Sequence, residues 1–162
     1  MRLWPLLLVG CALSTTDLDG DGFAPLEGDC DDWDPSIHPA AIDAIADGID
    51  EDCDGVEPVV MAHGVAHTCT LFTDGEIACT GDDTRGQLAA PKTVFVWTDL
   101  VAGDYHSCAL DLMGAVTCWG DDRAGQSSPP EDLPPADRIG AGPDFAWAQG
   151  TSWPRECWGR CY

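Results

Sequence analysis

The sequence contains few basic residues and few long apolar segments. Lysine and arginine together number 7, against 29 aspartate and glutamate residues, and the formal net charge at pH 7 is −22. Nucleic acids and anionic membrane surfaces attract clustered positive charge, so this balance argues against either as a binding partner. Beyond the first ten residues, no segment approaches the length of a membrane-spanning helix.

Catalytic signatures are also missing. The sequence has no P-loop, no HExxH zinc signature, no dinucleotide-binding motif and no Ser-His-Asp spacing. His67 and His106 recur at one position of an internal repeat, which is typical of structural hydrogen bonding. The aspartate pairs at 82–83 and 121–122 are interpreted as solvated turn residues. We therefore expect a protein that is not an enzyme.

Acidic residues are concentrated between Asp17 and Glu57, where fifteen occur without a single lysine or arginine. Their mutual repulsion would hold the segment open unless cations neutralise it, and a bound divalent ion is the simplest remedy. An alternative is that this acidic, glycine-rich stretch is only a solvated linker. The regular spacing of its aspartates favours the metal site.

The stretch begins like a calcium loop. Alternating aspartates, a glycine at the sixth position and a backbone carbonyl at the seventh match the first half of an EF-hand loop. The twelfth position is Gly28 rather than glutamate, so the closing ligands must come from elsewhere in the stretch. The predicted calcium ligands are Asp17, Asp19, Asp21 and Phe23, closed by Asp29, Asp31 or Asp32, or by the later run Asp50, Asp52 and Asp54.

Two cysteines lie among these carboxylates, and we predict that Cys30 and Cys53 form a disulfide. The apolar residues of residues 17–57 are too few for a full core, so the ion and the disulfide must supply much of the stability. The strings DLDGDG, GDCDDWDP and DGIDEDCDG together resemble the metal-binding motif of the MopE family and the calcium-binding type 3 repeats of thrombospondins. This resemblance implies an exported bacterial protein. Because some MopE relatives are linked to copper, a copper or zinc site made by His38, Cys30 and Cys53 is an alternative.

The first residues resemble a bacterial lipoprotein signal. Residues 1–10 contain one arginine and an apolar run, and residues 8–11 read LVGC, like a lipobox. Cleavage before Cys11 would expose a thiol that accepts lipid, and residues 11–16 would then tether the chain to the outer membrane or cell surface. The signal is short, which leaves open an ordinary cleaved signal and a secreted protein. Lipidation of Cys11 would leave eight of the nine cysteines for four disulfides.

Residues 58–162 contain an internal repeat with a period of 39 residues. The string HTC at 67–69 recurs as HSC at 106–108, and the string CTG at 79–81 recurs as CWG at 118–120 and 157–159. Each unit predicts two strands joined by a turn, and in the first two units this turn contains glycine and brings two cysteines together. The predicted hairpin disulfides are Cys69–Cys79 and Cys108–Cys118. In the third unit Trp147 replaces the first cysteine, so Cys157 pairs either with Cys161 or with no cysteine.

The string AGxxHSCALxxxGxVxCWGxxxxGQ, which begins at Ala102, resembles the repeat of the regulator of chromosome condensation (RCC1) family. The resemblance implies a β-propeller in which Trp119 and Trp158 pack between blades. The residues after 58 suffice for two to three blades only. We therefore expect a mainly β chain in which a small calcium-loop and disulfide module precedes an incomplete β-propeller.

These features predict an exported bacterial surface lipoprotein that binds calcium and has a structural or protein-interaction role. The sequence does not identify its protein partner. Two alternatives remain open. One is a copper-binding surface protein, implied by the MopE resemblance, and the other is a propeller that inhibits an enzyme, implied by relatives of the RCC1 type.

Overall fold

The fold is taken from a computed structural model, which describes residues 14–45, 47–92 and 96–162. The predicted signal peptide at residues 1–10 and the predicted lipidation site Cys11 lie outside these residues. The described residues form two compact units. The first comprises the residues up to Asp43 together with Asp50–Gly55, and the second comprises Ala44–Ile49 together with Val56–Tyr162. In the described part of the chain, no helix is long and apolar enough to cross a membrane.

The first unit consists of turns, and its one regular element is a short 3-10 helix at Pro25–Glu27. Large apolar side chains remain in solvent, with Trp33 80 % and Ile42 91 % exposed. The side chains that are buried include two carboxylates, Asp29 and Asp32. The Cys30 and Cys53 sulfurs are joined in a disulfide. This unit therefore has carboxylates and a disulfide where a domain of ordinary composition has a hydrophobic core.

The second unit contains three sheets, each of three antiparallel strands. This architecture confirms the predicted mainly β fold with an incomplete propeller, for which two to three blades were expected. Propeller blades ordinarily have four strands, so each sheet is one strand short among the described residues. The strands of the three sheets are, in order, β1 Pro58–His63, β2 His67–Phe72 and β3 Ile77–Gly81; β4 Trp97–Ala102, β5 His106–Asp111 and β6 Val116–Gly120; β7 Arg138–Ala141, β8 Phe145–Gly150 and β9 Trp153–Gly159.

The second and third strands of each sheet form the hairpins expected from the repeat. In the first two sheets the cysteines lie directly opposite each other, at Cys69 and Cys79 and at Cys108 and Cys118, and both pairs are disulfide-bonded. In the third sheet Trp147 lies opposite Cys157. Cys157 is instead bonded to Cys161, four residues away.

Apolar side chains fill the spaces between neighbouring sheets. One cluster includes Leu71 of the first sheet and Trp119 of the second, and another includes Leu110 of the second and Trp158 of the third. The two tryptophans play equivalent parts, as predicted for blade packing. The Trp119 indole N–H donates to the Gln87 carbonyl at 2.9 Å, and the Trp158 indole N–H donates to the Gln126 carbonyl at 3.0 Å.

Buried histidines explain the glycine of the AGxxH string. His67 and His106 are 3 % and 0 % exposed. A Cβ atom on Gly64 would clash with the His67 ring, and one on Gly103 would clash with the His106 ring. Glycine is therefore required at these positions because the ring of the same repeat packs against the backbone there.

Candidate metal centre

Residues 17–22 form a tight loop around their own carboxylates. Asp17 accepts hydrogen bonds from the backbone amides of Gly20 and Gly22, at 2.6 and 3.1 Å. Asp19 accepts from the amide of Asp21 at 3.2 Å, and both glycines have the left-handed φ angles, +86° and +101°, that such a turn needs. One carboxylate oxygen from each of the three aspartates lies within 4.8 Å of the others. The loop thus brings together the three predicted first ligands.

Residues 50–55 repeat this geometry. The carboxylate of Asp50 accepts from the amide of Gly55 at 3.0 Å, and that of Asp52 accepts from the amide of Asp54 at 3.1 Å. Gly55 is also left-handed, with φ of +81°. Both loops therefore contain one carboxylate–amide hydrogen bond between residues five apart and one between residues two apart. The later run is thus a second loop with the same backbone geometry as the first.

Asp43 completes the second cluster, and the sequence analysis missed it. Its carboxylate accepts from the Asp52 amide at 3.0 Å, and oxygens of Asp43, Asp52 and Asp54 lie within 4.8 Å of one another. Asp43 stands alone among alanines and isoleucines, outside any alternating run. A lone carboxylate in an otherwise apolar segment was the only available signal.

Several carboxylate oxygens of this unit are buried without a hydrogen-bond donor. They are Asp19 Oδ2, Asp21 Oδ2, Asp29 Oδ2 and Asp50 Oδ1. Asp29 is only 5 % exposed as a residue. Burying an anion without a partner is strongly unfavourable, and residues 17–57 contain no basic side chain that could compensate. These residues therefore fit a divalent cation, which would supply the missing partner to several oxygens at once.

The electrostatics of both clusters agree with this fit. Burial raises the pKa of Asp19, and the charges of Asp21, Asp29 and Asp17 raise it further. The pKa of Asp52 is likewise raised, first by burial and then by Asp43 and its other acidic neighbours. Without a cation, each loop thus disfavours the ionised form of one of its carboxylates. A bound cation reverses this tendency because it stabilises the ionised form.

Four other predicted ligands, Phe23, Asp29, Asp31 and Asp32, lie outside the two loops and their clusters of carboxylate oxygens. Asp32 is buried, and its carboxylate accepts from the amide of Leu18 at 3.0 Å, which ties it to the first loop. Asp31 is exposed, and its backbone carbonyl accepts hydrogen bonds from backbone amides of the following turn. The amide of Phe23 donates to the Asp21 carboxylate at 2.7 Å. Asp29 differs from Asp31 and Asp32, since its charge acts on Asp19 and one of its oxygens has no donor.

The alternative site of His38 with two cysteines has a different arrangement. The Cys30 and Cys53 sulfurs are bonded to each other, so they offer no thiolates. The His38 ring stacks on Phe23 with a centroid distance of 5.2 Å, and its Nδ1 accepts from the Ala40 amide at 3.2 Å. The ligand atoms that the unit brings together are carboxylate oxygens, which hard cations prefer.

In the second unit, the turn aspartates are not equally solvated. Asp121 is 5 % exposed and accepts from Arg85 of the first sheet's loop at 3.0 Å and from Arg123 at 2.8 Å. The hydrogen bonds and charge of Arg123, with the charge of Arg85, lower the pKa of Asp121 to about 2. The interpretation of this pair as solvated turn residues was wrong for Asp121, because an arginine from the neighbouring repeat covers it. His67 also joins the two repeats, with its Nε2 2.9 Å from the Ser107 hydroxyl.

Comparisons with known proteins identify both parts of the chain. Residues 29–57 match the family described as "Putative metal-binding motif", of the copper-binding MopE type. Residues 97–126 match the regulator of chromosome condensation (RCC1) repeat. No curated protein matches the chain.

Three of the solved structures that resemble the chain match it over about two thirds of its length. The ectodomain of the Physcomitrella patens receptor kinase CR4 is 28 % identical, with a TM-score of 0.54 over 67 % of this chain and 29 % of that one. Prp20p of Saccharomyces cerevisiae is 17 % identical, with a TM-score of 0.51 over 63 % of this chain and 33 % of that one. Human WBSCR16 is 20 % identical, with a TM-score of 0.52 over 67 % and 36 %. This chain spans about a third of the length of these proteins. It thus combines a MopE-type metal-binding motif with RCC1-type repeats in an incomplete propeller.

Proposed function

We propose that this chain is a non-enzymatic, exported surface protein in which calcium holds the Asp-rich unit folded while the propeller blades contact a protein partner. The observation that carries the proposal is the set of buried carboxylate oxygens without donors, Asp19 Oδ2, Asp21 Oδ2 and Asp29 Oδ2. A bound cation would satisfy them, and residues 17–57 contain no basic side chain that could do so instead. The role of the ion is structural.

Calcium is the ion that the donor set favours. All the clustered ligand atoms are carboxylate oxygens, and both loops share the turn glycine and amide bonds that shape calcium loops. Calcium also accepts irregular geometry and six to eight ligands, which suits a site closed by more distant carboxylates. Copper prefers imidazole and thiolate, and in this unit the two sulfurs are already bonded to each other.

The cysteine chemistry supports an exported location. Four disulfides persist only in an oxidising compartment, and one structural relative is itself a receptor ectodomain. The LVGC string supports attachment through a lipid on Cys11, at the outer membrane or the cell surface. Metabolic labelling with a radioactive fatty acid tests the attachment. Label on the wild type and none on Cys11→Ser is expected, and equal label on both would contradict it.

Calcium binding is tested by titration calorimetry on the full oxidised chain. We expect saturable binding, and weaker binding by at least about tenfold in Asp19→Asn and in Asp21→Asn, since each removes a charged ligand. The matched control is Asp34→Asn in the same unit, where the carboxylate is exposed and bonded locally to Ser36. At a calcium concentration about a hundred times the dissociation constant, the unit should gain roughly 2.7 kcal/mol of stability.

Copper titrations on the same proteins separate the two metals. If the site is specific for calcium, the His38→Ala variant should bind calcium with the same affinity as the wild type. Tight copper binding that is lost in His38→Ala, together with no heat of binding on addition of calcium, would show that the metal is copper rather than calcium. An absence of heat with either ion would leave the unit without a metal function.

A further inference from the structure

The outer face of each sheet, defined as the side turned toward the next sheet along the chain, is apolar in the first two repeats. In the first sheet it presents Leu71 and Ile77 to the second sheet. In the second sheet it presents Leu110 and Val116 to the third. The hairpin disulfides lie on the same side, and their sulfurs belong to the same clusters. An apolar outer face is therefore what lets one repeat dock onto the next.

The third sheet carries different residues at the equivalent positions. A shift of 39 residues replaces Leu110 by Gln149, Val116 by Arg155 and Cys108 by Trp147. Ala146 and Ala148 of the same strand are buried against the second sheet. Alternate side chains of a strand point to opposite sides, so Trp147 and Gln149 are on the outer face. That face has thus lost its aliphatic residues and gained an arginine.

The new residues form a fitted layer. A Cβ atom on Gly140 would clash with the indole of Trp147, so the large ring lies directly on the backbone at this position. The second sheet has Val101 at the position of Gly140. The guanidinium of Arg155 lies over the same indole, 3.9 Å from the ring centroid. The ring thus contacts both the Gly140 backbone and a guanidinium, and Arg155 itself stays exposed to solvent.

We propose that the third sheet is a capping repeat, whose outer face is closed by Trp147 and Arg155 so that no further blade of this type docks there, whether from the same chain or from a second copy. Stacked repeats need such ends, because an uncapped repeat exposes the apolar face that its neighbour would cover. Arg138, exposed and directly opposite Gln149, adds a second charge to the same face. Docking of an apolar blade would bury both guanidinium groups without partners, which is unfavourable.

The test introduces the outer-face residues of the second sheet at the equivalent positions of the third sheet. In the full oxidised chain with calcium present, Gln149→Leu with Arg155→Val recreates the aliphatic pair, and Arg155→Val alone is a milder variant at an exposed position. The control is Lys92→Val with Ser152→Leu, which also removes one positive charge and adds two apolar side chains at exposed positions away from the outer face. Sedimentation equilibrium measures the self-association constant of each protein.

We expect the restored face to raise the self-association constant by about tenfold or more over wild type, and the control to leave it unchanged. Two results would overturn the proposal. One is a double variant, or a correctly folded Arg155→Val, that associates no more tightly than the control. The other is a wild-type chain that self-associates and is dispersed by Trp147→Glu, since the face would then be an interface rather than an end.

Discussion

The ionised carboxylate of Asp121 makes a defined contribution to stability that depends on pH. Its oxygens accept from Arg123 of the same turn and from Arg85 of the preceding repeat, and the side chain is 5 % exposed. These partners lower the pKa from 3.8 in the unfolded chain to about 2 in the folded one. Replacing Asp121 with asparagine keeps the shape of the side chain and removes the charge that both arginines bind.

The size of the effect follows from the difference between the two pKa values. A difference of this size corresponds to about 2 kcal/mol in favour of the folded chain with Asp121 ionised. Arg123 is 69 % exposed, so solvent screening reduces the expected contribution to roughly 1–2 kcal/mol. Because the folded pKa is the lower one, the contribution is fully present above about pH 5 and is lost as the pH falls through about 4 to about 2.

Urea unfolding of the wild type and Asp121→Asn, in chelator and at several pH values, measures this contribution as a difference. The chelator removes the acid sensitivity of calcium binding from the comparison. Asp132→Asn, at an exposed position of the following loop, is the control and should show no difference. A difference between wild type and Asp121→Asn that persists unchanged at pH 2, or that is absent at pH 7, would refute the assignment of a stabilising buried ion pair.

Two further predictions concern buried side chains of the propeller. Trp119→Ala should lower the free energy of unfolding by about 3–5 kcal/mol, because it leaves a cavity between sheets, whereas Trp33→Ala, at an 80 % exposed site, should change it by less than about 0.5 kcal/mol. Burial lowers the pKa of His106 in the folded chain. As the pH drops below about 6.5, the unfolded chain therefore binds a proton at His106 before the folded chain does, and stability falls. His106→Phe, which copies Phe145 at the equivalent position of the third sheet, should fold and should lose that part of the pH dependence in the same urea assay; an unchanged slope would contradict the buried neutral histidine.

The sequence predicts those features that depend on local spacing. The period of 39 residues, the hairpins with glycine turns and the opposed cysteines all follow from residues close together in the chain. The three aspartates of the first loop are brought together for the same reason. Their carboxylates accept hydrogen bonds from amides two to five residues away, so the alternation of aspartate and glycine determines the geometry of the loop.

The features that escaped prediction depend on partners distant in sequence. Asp43 joins the second loop through the amide of Asp52, and no pattern in its own neighbourhood marks it. The pair at 82–83 and the pair at 121–122 are the same dipeptide, yet only Asp121 receives an arginine from another repeat. The strands β1, β4 and β7 were also not predicted, since they share little sequence with one another.

The two junctions between sheets share the tryptophan contact and differ in their polar contacts. Across the first junction Arg85 binds Asp121, and His67 binds the hydroxyl of Ser107. At the second junction the positions 39 residues later hold Ala124 and Arg160, and Ala146 takes the place of the serine. Arg160 instead binds Asp144, within the third repeat itself, at 3.2 Å. The ion pair has changed at both of its positions, so no buried charge is left without a partner, whereas the histidine is kept as His106 and only the serine hydroxyl is lost. The second junction therefore lacks both of these side-chain contacts.

This difference predicts the order in which the sheets open. The first and third sheets each pack against one neighbouring sheet, but the junction of the first also has a half-buried ion pair and a side-chain hydrogen bond, which contribute roughly 1–3 kcal/mol. The third sheet should therefore exchange its backbone amides faster than the first in native-state hydrogen exchange. Ala146→Ser gives His106 a hydroxyl like that of Ser107 and should slow exchange in the third sheet alone. If the first sheet opens before the third, apolar packing rather than these polar contacts sets the strength of the junctions.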